Sequence, residues 1–168
     1  DTKNARAFFR NQMTIPIKDA LKKRYYFLNN QAYISLAENN QQMAEYYFRQ
    51  TRDFVNERRM PLPYFVSSEL EIGKLMARKG NIDEAMKCFR TVHDTLVNVG
   101  NKDMLVSVLK EMSDLYSKSG EKDSAEKYRS QYLLMSDSVF NAQQFNIANS
   151  KLFEYENSQT KQRIDSLV

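Results

Sequence analysis

Apolar residues recur along this chain at intervals of three and four, the spacing that gathers them on one face of an α-helix. Together with the turn signals, that spacing predicts helices at about 2 to 13, 17 to 38, 41 to 59, 63 to 79, 82 to 98, 102 to 118, 122 to 136 and 138 to 165. Pro16 suits the start of the second segment, and Pro61 and Pro63 break the chain between the third and fourth. Asn81 or Asp83, and Asn101 or Asp103, can cap helix starts by accepting hydrogen bonds from otherwise orphaned amides.

The pattern repeats. Gly73, Gly80, Ala85 and Phe89 fall in the run EIGKLMARKGNIDEAMKCF, which reads as helix, short turn, helix. A second copy, EMSDLYSKSGEKDSAEKY, holds Tyr116, Gly120, Ala125 and Tyr128, and an earlier one, QAYISLAENNQQMAEYYF, holds Ala32, Asn39, Ala44 and Phe48. The small residue of the second helix falls at Ala44, Ala85 and Ala125, intervals of 41 and 40 residues. Two helices of one hairpin must approach closely, so a small residue sits at the crossing and a ring fills the space one turn later. Ala44 with Phe48 and Ala85 with Phe89 obey that spacing, whereas Tyr128 comes one place early and must pack differently.

These residues resemble the tetratricopeptide repeat. Its pattern sets a small residue midway along the first helix, an aromatic three places on, a turn glycine, then alanine and an aromatic four apart. Gly73, Gly80, Ala85 and Phe89 match, with Met76 in place of the first aromatic; Tyr116, Gly120 and Ala125 match, with Ser113 in place of the small residue. The first copy lacks the turn glycine, and the period exceeds the ~34 residues usual for the family. The resemblance implies an all-α, right-handed solenoid of antiparallel hairpins over residues 17 to 136, preceded by the remnant of another repeat in 1 to 16 and followed by a long capping or linker helix over 137 to 168. The chain opens at Asp1 and reads as a piece of a longer array.

After Ser136 the repeat stops. Val139, Phe140, Phe145, Ile147, Leu152 and Phe153 supply enough apolar surface to cover the end of a stack, which a solenoid requires. Beyond them, Tyr155 and Ile164 stand alone among polar residues, as in a solvated helical linker. Asp137, Ser138, Val139, Phe140, Asn141 and Tyr155 resemble the exit from the repeats in membrane-bound sensor regulators of Bacteroidetes-type bacteria, although Glu154 stands where that group commonly has lysine. The resemblance implies the sensing part of a signal-transduction or transcription regulator, on the periplasmic side of the inner membrane, with the parent protein membrane-anchored. A cytoplasmic location is the alternative.

Composition adds little against this reading. Four Gly and three Pro leave little punctuation for strands, and 168 residues suffice to bury a core without a metal or disulfide staple. The net charge of +4 divides unevenly: residues 1 to 60 hold 11 Lys and Arg against 6 Asp and Glu, a net of +5, and the remainder carries −1. Lys22, Lys23 and Arg24 beside Tyr25, Tyr26 and Phe27 have the makings of a nucleic-acid strip, but core packing explains most of the rings, so no nucleic-acid partner is expected.

In a repeat stack the first helices of successive hairpins line the concave face, the default binding surface. The resemblance places Tyr26, Asn29, Asn30 and Tyr33 there, then Ser67, Leu70, Glu71, Lys74 and Arg78, then Ser107, Lys110, Glu111, Asp114 and Lys118. Amides can bond a peptide backbone, rings can stack on its side chains, and Lys74, Arg78 and Lys110 can meet carboxylates. Some family members clamp a C-terminal carboxylate with paired Lys and Asn, but Asn29 and Tyr33 occupy the first pair's places and the clamp is absent. The sole histidine, His93, reads as a surface residue and the sole cysteine, Cys88, as core; neither belongs to a nucleophile or metal motif. The four glycines are too far apart to cradle a phosphate. The expectation is therefore a non-enzymatic domain with no cofactor and no metal, binding a peptide or protein. The alternative is a scaffold that assembles with itself, with a homodimer through the C-terminal helix.

Overall fold

The computed structural model describes residues 19–165, and the expected repeat remnant in 1 to 16 lies outside them. Among the described residues six α-helices follow one another: α1 Ala20–Ala37, α2 Gln41–Glu57, α3 Leu62–Arg78, α4 Ile82–Val99, α5 Lys102–Ser119 and α6 Lys122–Asp165. There is no strand among the described residues. The residues form two compact units, divided between Asn98 and Val99.

The helix ends have local causes. Asp19 caps α1 by accepting from Leu21 N at 2.9 Å, Asn40 caps α2 through Met43 N at 3.1 Å, and Asn101 caps α5 through Met104 N at 3.1 Å. Asn81, rather than Asp83, serves α4 by accepting from Glu84 N at 3.3 Å. Pro61 precedes α3, whose first turn tolerates Pro63 because an amide there has no intrahelical partner.

The three turns inside the helix pairs are built alike. Asn40 N donates to Ser35 O at 2.8 Å, Asn81 N to Met76 O at 2.9 Å and Glu121 N to Tyr116 O at 3.0 Å. Each such bond spans a residue in the left-handed region: Asn39 at φ 58°, Gly80 at φ 79° and Gly120 at φ 82°. The glycine missing from the first copy is thus replaced by asparagine, the side chain that best tolerates this conformation after glycine.

In the first unit α1 packs on α2, α2 on α3, and α3 on α4 through Gly73 and the wholly buried Phe89. Ala32, Ala44, Phe48, Val55, Ile72, Leu75, Met76, Ala85, Val92 and Leu96 complete a core with almost no exposure. In the second unit α5 packs on α6 through Leu105, Val108, Leu109, Met112, Leu115, Tyr116 and Ala125. Here Ser113 takes the place of Gly73 and Ala32, and its buried hydroxyl donates to Ala125 O across the pair at 3.1 Å. Tyr128, one place early, is half-buried and stacks parallel on Tyr116 with centroids 5.4 Å apart.

One expectation changes. No break occurs near residue 137: α6 runs unbroken for 44 residues, about 66 Å at helical rise. No Gly or Pro follows Gly120, so nothing in the backbone stops it. Phe140, Phe145, Ile147, Leu152 and Phe153, expected to cover the end of the stack, remain 48–66% exposed.

Candidate functional site

The first-unit residues expected on a binding face lie on α1 and α3, and side-chain bonds join the two helices. Tyr25 OH and Ser67 Oγ hydrogen-bond at 3.1 Å, and the Tyr25 ring meets Tyr64 edge-on at 4.7 Å. Two turns further along α1, Tyr33 sets its ring edge-on against Phe48 at 5.4 Å and donates its hydroxyl to the Glu71 carboxylate. Burial first, and the Glu71 charge next, push the Tyr33 hydroxyl well above its ordinary pKa, so it stays protonated as a donor. Glu71 also accepts from Lys74 Nζ at 3.0 Å.

Around this bonded centre the exposed parts are of mixed chemistry. Tyr26 is 41% exposed and shares a hydrogen bond with Tyr64. Arg78 is exposed at the end of α3. Two expected members are placed differently. Asn30 is only 4% exposed, so its amide is not offered to solvent, and Leu70 belongs to the core. Asn29 is half-buried, and its Oδ1 is enclosed without a hydrogen-bond partner. Of the expected first-unit residues, Asn30 and Leu70 are thus buried, and Tyr26, Asn29, Tyr33, Ser67, Glu71, Lys74 and Arg78 remain at least partly exposed.

In the second unit, Ser107, Lys110, Asp114 and Lys118 are exposed on α5 and Glu111 is half-buried, on the side away from Leu109, Met112 and Leu115.

Sequence reasoning missed a polar cluster inside the first unit. Glu69 of α3 is 8% exposed, its carboxylate accepts from the Cys88 thiol of α4, and Arg52 Nε of α2 lies 4.0 Å away. Desolvation raises the Glu69 carboxyl despite Arg52, and desolvation with the Glu69 charge pushes the Cys88 thiol up to about 12. Such a thiol is not a nucleophile at neutral pH. Nothing in the helical period marks Glu69 as buried, since it sits between Ser68 and Leu70 like any boundary residue. A second, half-exposed network joins the ends of α2, α3 and α4: Arg49 bonds Glu45 at 2.9 Å and Glu84 at 2.7 Å, while Glu45 also pairs with Lys79. Lys79 and Arg49 hold the Glu45 carboxyl below its ordinary range.

His93 lies with Nδ1 3.0 Å from Asp94 Oδ1 and is half-buried. Among the described residues no group of His, Cys, Asp and Glu is arranged to hold a metal, and no helix is long and apolar enough to cross a membrane. No protein-family model matches the chain, and no curated protein matches it either.

Proposed function

We propose that this chain is a tetratricopeptide-type repeat domain whose helix pairs stack as a right-handed solenoid, and that it binds a peptide or protein rather than catalysing a reaction. The solenoid reading draws support from four sets of equivalent positions, 32/73/113, 35/76/116, 39/80/120 and 44/85/125, each spaced by 41 and 40 residues and each filled by residues with the same local role.

The observation that carries the binding reading is the bonded face of α1 and α3. Tyr25 to Ser67 and Tyr33 to Glu71 tie the two helices together, leaving Tyr26, Lys74 and Arg78 at its edge. A face already fixed by its own bonds loses little conformational freedom on binding. A ring with two cations suits a segment carrying an aromatic or aliphatic side chain and a carboxylate. The role that follows from the resemblance is the sensing part of a membrane-bound signalling or transcription regulator on the periplasmic side of the inner membrane.

The test is selection of short random peptides displayed against the whole chain, then titration of the enriched peptides on variants. Tyr26→Ala and Lys74→Ala are expected to weaken binding about tenfold or more with an unchanged helical signal. Tyr33→Phe, which keeps the ring on Phe48, is expected to weaken it less. Equal affinity of all three variants and the parent would remove the α1–α3 face as the site. A second reading, self-assembly, is favoured by the exposed apolar side chains of α6.

A further inference from the structure

Past Val139 every described side chain of α6 is exposed, yet the segment is rich in large apolar groups. Leu133, Leu134, Phe140, Phe145, Ile147, Leu152, Phe153 and Tyr155 are 48–75% exposed. At about 200 Å² per residue they leave roughly 900 Å² of surface in water. That exceeds the ~300–600 Å² of the largest apolar patch on an ordinary monomer and equals the ~800 Å² each partner contributes to a standard interface. An isolated helix of this kind gains nothing from displaying such groups; they call for a partner.

The order of these residues says which partner. Leu134, Asn141, Ala148 and Tyr155 recur every seven residues, and Ser138, Phe145, Leu152 and Gln159 recur every seven between them. Alternating steps of four and three make one seam along the helix, of the type that packs knobs into holes against another helix. All eight are exposed. Lys151 flanks the seam on one side and Glu156 on the other, five residues apart. In a parallel pair of such helices Lys151 of one copy faces Glu156 of the other, twice over. An antiparallel pair sets each flank against its own kind. Between Ser138 and Ser150 there is no charged residue, so two copies meet along that stretch without like-charge repulsion.

We propose that α6 is the interface of a parallel homodimer, with Phe145, Ala148, Leu152 and Tyr155 at its centre and Lys151 to Glu156 fixing the direction. The seam residues supply somewhat more than half of the exposed apolar area, roughly 500 Å² per copy, which is at the low end for a stable interface. The dimer therefore dissociates on dilution. The inference does not rest on the α1–α3 face binding a ligand.

Sedimentation equilibrium of the whole chain tests it, with circular dichroism confirming that each variant keeps its helices. The parent is expected to show a concentration-dependent dimer. Phe145→Asp and Leu152→Asp are expected to raise its dissociation constant about tenfold or more, while Phe140→Asp, off the seam, leaves it unchanged. Lys151→Glu weakens the dimer, and Lys151→Glu with Glu156→Lys restores it. Gln159→Cys, one turn past Tyr155, forms a disulfide between copies on mild oxidation, because only a parallel pair brings both copies of that position together. A parent that is monomeric at every concentration, or Phe140→Asp weakening the dimer as much as Phe145→Asp, overturns the proposal. A dimer in which Gln159→Cys does not cross-link overturns its direction.

Discussion

Gly73 lies so close to the ring of Phe89 that a Cβ on it would meet Phe89 Cδ1 at 2.8 Å. Phe89 is wholly buried and cannot turn away, so the approach of α3 to α4 depends on a hydrogen at position 73. Alanine gains up to about 1 kcal/mol of helix propensity over glycine, but overpacking a filled core costs about 1–3 kcal/mol. Gly73→Ala is therefore expected to lower stability by about 1–2 kcal/mol net. Urea unfolding followed by circular dichroism reads this directly. A variant as stable as the parent would mean the two helices have room to separate.

The turn between α1 and α2 offers a change in the opposite direction. Asn39 holds φ 58°, in the same place where Gly80 and Gly120 serve the other two turns. Left-handed backbone costs a residue with a Cβ about 1–2 kcal/mol, less for asparagine. Asn39→Gly is expected to stabilise by a few tenths of a kcal/mol to about 1 kcal/mol, and Asn39→Val to destabilise by about 1 kcal/mol or more. Thermal unfolding of the pair of variants distinguishes this from a merely permissive surface turn, where both changes would be silent.

These two positions show what was legible in the sequence. Ala44, Ala85 and Ala125 stand out because a small residue at a crossing is a local requirement repeated at a fixed interval. The same logic identified the turn glycines, but Asn39 read as a gap in the pattern because the residue type changed while the backbone did not. Ser113 likewise read as a departure, although its hydroxyl found Ala125 O. Long-range pairings left no such mark. Nothing local to Tyr33 points to Glu71, 38 positions away, and nothing local to Asn30 or Glu69 distinguishes a buried polar residue from an exposed one. The continuity of α6 was hidden for a different reason: polar Ser138, Asn141 and Gln159 interrupt its seam while Phe140, Ile147 and Phe153 lie off it, so the apolar period is weak past residue 137.

Cys88 provides a chemical readout of the interior cluster. It is 6% exposed, and its thiol is pushed up to about 12 by desolvation and the Glu69 carboxylate. Thiol reagents need the thiolate and a path to it. The folded protein is expected to react with a disulfide reagent at neutral pH only as fast as it opens, and the unfolded protein at once. Rapid modification of one thiol in native buffer would show that α3 and α4 do not close over this site.

The sign of the Glu69 contribution to stability follows from its environment. The carboxyl is raised in the folded chain mainly by desolvation, partly offset by Arg52 and by the Cys88 thiol, with Asp53 adding to the rise and Arg49 opposing it. A carboxyl raised on folding binds its proton more tightly in the folded state than in the unfolded one. Its contribution to stability is then most favourable in acid, below the unfolded value, and is lost as pH rises through the folded one. At neutral pH the ionised Glu69 costs stability. Glu45 behaves oppositely, since Lys79 and Arg49 lower its carboxyl and its contribution disappears in acid. Glu69→Gln removes the ionisation but keeps the shape. It is expected to be more stable than the parent at neutral pH, with the difference shrinking as the buffer falls through the carboxylate range. Arg52 limits the gain, because half of its pairing goes with the charge; Asp53 Oδ1 at 3.2 Å remains as its other partner. Parallel denaturant titrations of parent and variant from acid to neutral pH measure the difference. A variant less stable than the parent at neutral pH would mean that the attraction of Arg52 outweighs the burial of the charge, and that Glu69 is ionised as part of a true internal ion pair.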